Sequence, residues 1–204
     1  MVAPSFDGTF AHNWTAEILP NRPMILPTRH FVYPGQVDEV ELGALEVLVQ
    51  PGEAAEQTSA VPALQPFLAT CALGFRDPAA PTGIWAMPDP DWLCAVSGGY
   101  AYLVNVADPQ QFTMLRYRPV LEVRPYLPED PQAVPGGLLL FIGHNSLLAW
   151  GRDGEAWESD KLSWEGVTID RIDGSTLFGH GWDMRTDKDL PFALDLASGK
   201  RIEI

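Results

Sequence analysis

Four histidines stand in the 204-residue chain: His12, His30, His144 and His180. The last two share an echo, "FIGHN" at 141–145 and "LFGHG" at 177–181, in which an apolar pair and a glycine precede the imidazole. Two imidazoles joined by the carboxylate of Asp183 would make a two-His-one-carboxylate metal site. That set, His144, His180 and Asp183, would suit a metal-dependent hydrolase. A plainer reading has each imidazole capping a turn by bonding to backbone carbonyls, and we prefer it. The HExxH pattern and Cys/His knuckles of zinc proteins are absent, so no metal and no other cofactor is expected.

The stretch "DMRTDKDLP" at 183–191 gathers Asp183, Asp187 and Asp189, and calcium takes several oxygens at once. The sixth position of a loop starting at Asp187 is Phe192, where an EF-type loop has glycine, so a solvated hairpin tip is the better reading. Three tryptophans, Trp150, Trp157 and Trp164, recur every seven residues. "GRDG" between the first two rules out a helix and predicts a hairpin with Trp150 and Trp157 near each other across it. Exposed, paired indoles would stack on a sugar or a methylated cation; buried, they would be core, as their large area favours. The candidate ligand-binding residues are therefore His144, Asn145, His180, Trp182, Trp150 and Trp157.

Nucleophile signatures are missing: the chain has no G-x-S-x-G and no P-loop. Among 27 acidic residues no glycosidase-like pair can be singled out from sequence. The formal charge of −14 and isoelectric point near 4.5 argue against nucleic acid and anionic membrane surfaces. They would suit a protein or small-ligand partner, a cationic one included, although the plainer reading is that acidity merely keeps the chain soluble. The N-terminal residues lack a basic segment followed by an apolar run, and no apolar stretch reaches a membrane span, so a cytoplasmic location is expected. Cys71 and Cys94 lie within apolar runs and read as buried and reduced, with a disulfide between them as the alternative.

Whatever these residues do, strands must position them. Nineteen prolines and eighteen glycines leave little room for long helices. Short apolar runs bounded by Gly, Pro, Asn or Asp follow one another: "LGALEVLVQ", "FLATCALGF", "GIWAM", "WLCAVSGG", "YAYLVNV", "TMLRYRPVLEV", "LLLFIG", "LLAW", "VTIDRI", "TLFG" and "FALDL". Strict alternation in "VTIDRI" predicts a half-buried strand, and the unbroken apolar "LLLFIG" one covered on both faces. The fold class is all-β. "PGEAAEQTSAVPAL" at 51–64 lacks an apolar stripe and reads as a loop or short turn. Residues 16–36, with four prolines, should lie extended over the surface or along a sheet edge. We read residues 1–204 as a single domain, an irregular part at 1–82 followed by a repeating part at 83–204, with 76–83 as a joint.

The repeating part has a pattern of its own. An apolar strand reaches Gly98, Gly143 or Gly179, and a turn and a second strand follow. The marker glycines lie 45 positions apart (98 to 143) and then 36 (143 to 179), periods typical of propellers and arrays. "LLFIGHNSLLAWGRDGEAW" and "FALDLASGKRI" resemble blades of quinoprotein-like β-propellers. The resemblance implies a propeller-like fold of four or five small blades and carries over no cofactor site. WD-repeat propellers are a poorer match, because "GH" at 179–180 and "WD" at 182–183 are almost adjacent instead of a blade apart. A β-sandwich is the alternative architecture. Together these features favour a soluble binding or interaction module without a catalytic motif, with the metal-dependent hydrolase as the second reading.

Overall fold

The computed structural model describes residues 4–35, 40, 42–52, 65–75 and 80–203. The chain is all-β, with seventeen strands among the described residues. It divides into two compact units, Met1–Arg118 and Pro119–Ile204. Most of "PGEAAEQTSAVPAL" and of "RDPAAP" falls outside the described residues.

The N-terminal unit holds two sheets. The first comprises β1 (Ser5–Asp7), β6 (Gly83–Ala86), β7 (Trp92–Ser97), β8 (Tyr100–Asn105) and β9 (Phe112–Met114), hydrogen-bonded in that order. β1 joins β6 in parallel, so residues on both sides of 76–83 share one sheet. The second sheet runs β2 (Trp14–Leu19), β4 (Ala44–Pro51), β5 (Phe67–Ala72), β3 (His30–Tyr33). The proline-rich stretch 16–36 thus supplies both edges of this sheet, where prolines cost no ladder bonds. The loop between the two edge strands leaves Met24 and Ile25 exposed. β5 is buried along its whole length. Two tyrosines tie this unit together: Tyr102 donates to the Ala72 carbonyl at 3.0 Å and Tyr33 to that of Pro109 at 2.8 Å. Cys71 and Cys94 are free and buried, and burial pushes both thiols well above their ordinary values.

The C-terminal unit is two consecutive four-stranded antiparallel meanders. One is β10 (Glu122–Tyr126), β11 (Leu138–Ile142), β12 (Leu147–Gly151) and β13 (Gly154–Glu158); the other is β14 (Val167–Asp173), β15 (Thr176–Asp183), β16 (Lys188–Asp195) and β17 (Arg201–Ile202). "TMLRYRPVLEV", expected as one strand, is split between β9 and β10, and the division between the units falls inside it. Arg116, Pro119 and the residues around them leave the ladder there. Leu140, Ile142 and Leu147 from the first sheet share a core with Ile169, Leu177 and Leu194 from the second. β11 is buried on both faces, as its unbroken apolar run requires. β14 and β15 alternate between covered and open positions, as strands with one solvated face do.

Two differences from the sequence reading bear on the histidines. Gly143 follows the end of β11, but Gly179 lies inside β15, which continues through His180 and Gly181 to Asp183. Glycine is needed at 179 for packing, since a Cβ there would strike the Thr168 carbonyl and the Phe192 ring. The "DMRTDKDLP" stretch is also only partly a hairpin tip: its second half is the start of β16. Pro191 is accommodated within β16 because β17 pairs only with Ala193 and Leu194, leaving the strand locally at an edge.

Candidate functional site

Between β13 and β14 the chain crosses from one sheet to the other as an irregular segment, residues 159–166, pinned by backbone bonds at both ends. The Asn145 carbonyl accepts the amides of Leu162 (2.7 Å) and Ser163 (3.3 Å). The Trp182 carbonyl accepts the Trp164 amide (2.9 Å) and the Ser163 hydroxyl (3.3 Å). Leu162 is buried in the shared core and anchors the middle. Gly181 lets this strap lie directly on β15: a Cβ there would sit 2.6 Å from the Leu162 carbonyl oxygen and 2.7 Å from Ser163 Cβ. Both contacts are too short for real side chains, so only glycine fits beneath it.

Beside the strap opens a cleft of about 310 Å³, lined by residues 161–164, 181–183, 185, 190, 191 and 201. Strand alternation supplies its floor. Gly181, Asp183, Leu190 and Arg201 belong to one face of the β14–β17 sheet by register, the face that carries Leu177 and Leu194 into the core further along. Trp164 and Leu190 remain 43% and 44% exposed, large apolar groups that the fold has not covered.

The polar groups of the cleft are tightly ordered. Asp183 is buried and accepts from Thr186 Oγ1 at 2.9 Å and Trp164 Nε1 at 3.2 Å, with Arg185 Nε 3.5 Å away. The Thr186 hydroxyl, foremost among these, holds the carboxyl below its ordinary value. It is therefore ionised, occupied by donors and a poor proton carrier at neutral pH. Lys161 Nζ lies 2.9 Å from the centre of the Trp164 ring, a cation–π pair. Arg201 donates from Nη2 to the Lys161 carbonyl at 3.1 Å. Trp182 turns its indole N–H to Asp187 Oδ1 at 3.1 Å, which fixes its ring at the hairpin tip.

The histidine echo does not converge. His180 and Asp183 sit three residues apart on one strand and so point to opposite faces of the sheet. On its own face His180 pairs through Nδ1 with Asp170 Oδ1 at 3.0 Å. His144 is exposed in the turn between β11 and β12. Among the described residues no three His, Cys, Asp or Glu side chains gather as a metal site would require. The paired tryptophans also part. Register places Trp150 opposite Glu155 and Trp157 opposite Ala149, so the two indoles lie on opposite faces, with a bulge between Ala149 and Trp150. Trp157 is buried in the core and donates from Nε1 to the Leu196 carbonyl at 2.9 Å. Of the sequence candidates, Trp182 and Asp183 line the cleft, and Asn145 positions its strap through a backbone carbonyl. His144, His180, Trp150 and Trp157 do not line it.

Sequence reasoning missed Lys161, Trp164 as a cleft residue, Arg185, Leu190 and Arg201. One signal was available: Lys161 is among only three lysines in the chain. Arg201 had none, because the β16–β17 turn brings it to the strap from forty residues away. No protein-family model, curated protein or solved structure matches the chain.

Proposed function

We propose that the protein is a binding module without catalytic chemistry, built on propeller-like four-stranded units, with the cleft under the strap as its ligand site. The unit reading draws on strand order. β6–β9, β10–β13 and β14–β17 are successive antiparallel meanders, and the marker glycines 98, 143 and 179 each fall within or just after the second strand of a set. The cleft carries the functional reading. It lies at the small end of the ~300–1,000 Å³ range of ligand clefts and sets the apolar groups of Trp164, Leu190 and Pro191 beside charged and polar ones that could orient a ligand. Its backbone is set by the strap's hydrogen bonds, so a ligand would meet a preformed surface and lose less to ordering.

The occupied state of Asp183 and the bonding of Ser163 Oγ to a backbone carbonyl favour binding over hydrolysis. A fragment screen read by amide chemical shifts tests the site. Binders should perturb the amides of Ser163, Trp164 and Trp182 together, and Trp164→Ala should abolish the effect. Fragments that bind elsewhere, with these resonances unmoved, would remove the proposal.

A further inference from the structure

We infer that the cleft takes a small anion, a carboxylate or phosphate group carried on an apolar or aromatic body; this rests on the cleft being the ligand site. The whole chain is strongly acidic, at −14, yet the cleft reverses that sign. Its lining holds three cations, Lys161, Arg185 and Arg201, against one carboxylate, Asp183, a local balance of +3 − 1 = +2. Asp160 and Glu165 belong to the strap but do not line the cleft.

The cations are unequal. Arg185 faces Asp183, whose acceptor sites are already taken up by Thr186 and Trp164. Lys161 and Arg201 have no carboxylate within ion-pair distance among the described residues; one stands over an indole, the other donates to a backbone carbonyl. Arg201 uses a single one of its five N–H donors in that bond, leaving its planar fork for a second acceptor. Two cations that line a recess of mixed polar and apolar surface, neither of them paired with its one carboxylate, are poised to receive a counter-ion from solution. The exposed Trp164 and Leu190 surfaces then cover the ligand's body. A cationic ligand, which the overall charge favours, would meet repulsion here. The acidic remainder of the molecule would also repel large polyanions, so the anion expected is a small one.

The test uses the full chain and four probes of similar body: phenyl phosphate, benzoate, benzyl alcohol and benzylamine, titrated by tryptophan fluorescence with amide shifts to localise each. Phenyl phosphate and benzoate should bind at residues 161–164 and 182, at least about tenfold more tightly than the alcohol, and the amine least, in keeping with charge-assisted hydrogen bonds. Rising salt should weaken the two anions and leave the alcohol unchanged. Lys161→Gln, which alters no backbone bond, and Arg201→Gln should each remove most of the preference for anions, while Arg201→Lys should restore part of it to the latter position. The relative strength of phosphate and carboxylate distinguishes the two anion sources. If all four probes bind in the cleft with equal strength, or the amine binds best, the anion inference fails and the ligand-site reading stands. If none of the four perturbs the cleft at millimolar concentration while the variants melt like the parent, the ligand-site reading fails with it.

Discussion

Each unit of the molecule contains a cluster of charged and polar side chains, and the two clusters are finished differently. In the N-terminal unit Glu46 is buried within β4 and accepts from Arg22 Nε at 2.8 Å and from Thr70 Oγ1 at 2.5 Å. Because the Thr70 proton goes to Glu46, its oxygen accepts from His30 Nε2 at 2.9 Å. The chain Arg22–Glu46–Thr70–His30 is closed: every buried member has a partner, and the Glu46 charge is met by that of Arg22. In the C-terminal unit the cleft has one satisfied carboxylate and two cations without a counter-ion, beside an open recess. Residue types alone do not separate the clusters, since the closed one has the acid, hydroxyl and imidazole that a catalytic reading would seek. What separates them is the balance between charges and partners. A cluster that completes itself holds a sheet together; one left incomplete at a surface has something to offer a ligand.

The sharpest way to probe that contrast is through stability. Within the C-terminal unit, Trp157→Ala empties a core position and should cost about 3–5 kcal/mol in urea unfolding, whereas Trp164→Ala at the cleft should cost about 1 kcal/mol or less. Comparable losses from the two would mean that the cleft wall is part of the core. Next in size, Glu46→Ala should destabilise by about 3 kcal/mol, because it leaves the Thr70 hydroxyl and the Arg22 guanidinium without their acceptor. That figure is at the low end for a buried pair, since Arg22 reaches solvent. By contrast Lys161→Gln should change stability by less than about 0.5 kcal/mol, as for most surface substitutions. A neutral Glu46→Ala would show that the network does not hold the sheet, and the comparison would collapse.

The strands were largely legible, because a run such as "LLLFIG" or "VTIDRI" sets both its conformation and its exposure. The repeat glycines misled at one point. Gly179 looked like a strand end by analogy with Gly143, but glycine also serves where neighbouring strands pack close, and local sequence does not distinguish the two uses. From that slip came the converging histidines: one residue sits in a turn and the other within a strand, so their equivalence was only in the letters. The tryptophan pair failed for a related reason, a bulge that shifts register by one and sends Trp150 and Trp157 to opposite faces. The cleft itself was nearly invisible. Its cations come from the strap, a hairpin tip and the last strand, positions that only tertiary packing brings together.

Gly181→Ala is the intermediate case, linking packing to the site. The added methyl meets the backbone of Leu162, so the strap must lift, at a cost of about 1–3 kcal/mol. The amide shifts of residues 161–164 should move, and probe binding should fall even though no lining charge is altered. A variant that binds normally would mean that the strap's position is irrelevant to the cleft.

The smallest effect belongs to the closed network and to pH. His30 has its pKa lowered, chiefly by burial and then by the Arg22 charge, with Glu46 opposing. The folded protein therefore takes up this proton less readily than the unfolded chain, whose imidazole titrates near the ordinary value of about 6.5. Between the folded pKa and that value the unfolded state binds more protons, so stability rises with pH across this window. Lowering the pH from 8 to 5 should erode stability, and His30→Gln, which keeps a donor for Thr70, should flatten that slope while leaving the neutral-pH value within about 1 kcal/mol. If His30→Gln left the pH profile unchanged, the imidazole would be a bystander, and the network would end at Thr70.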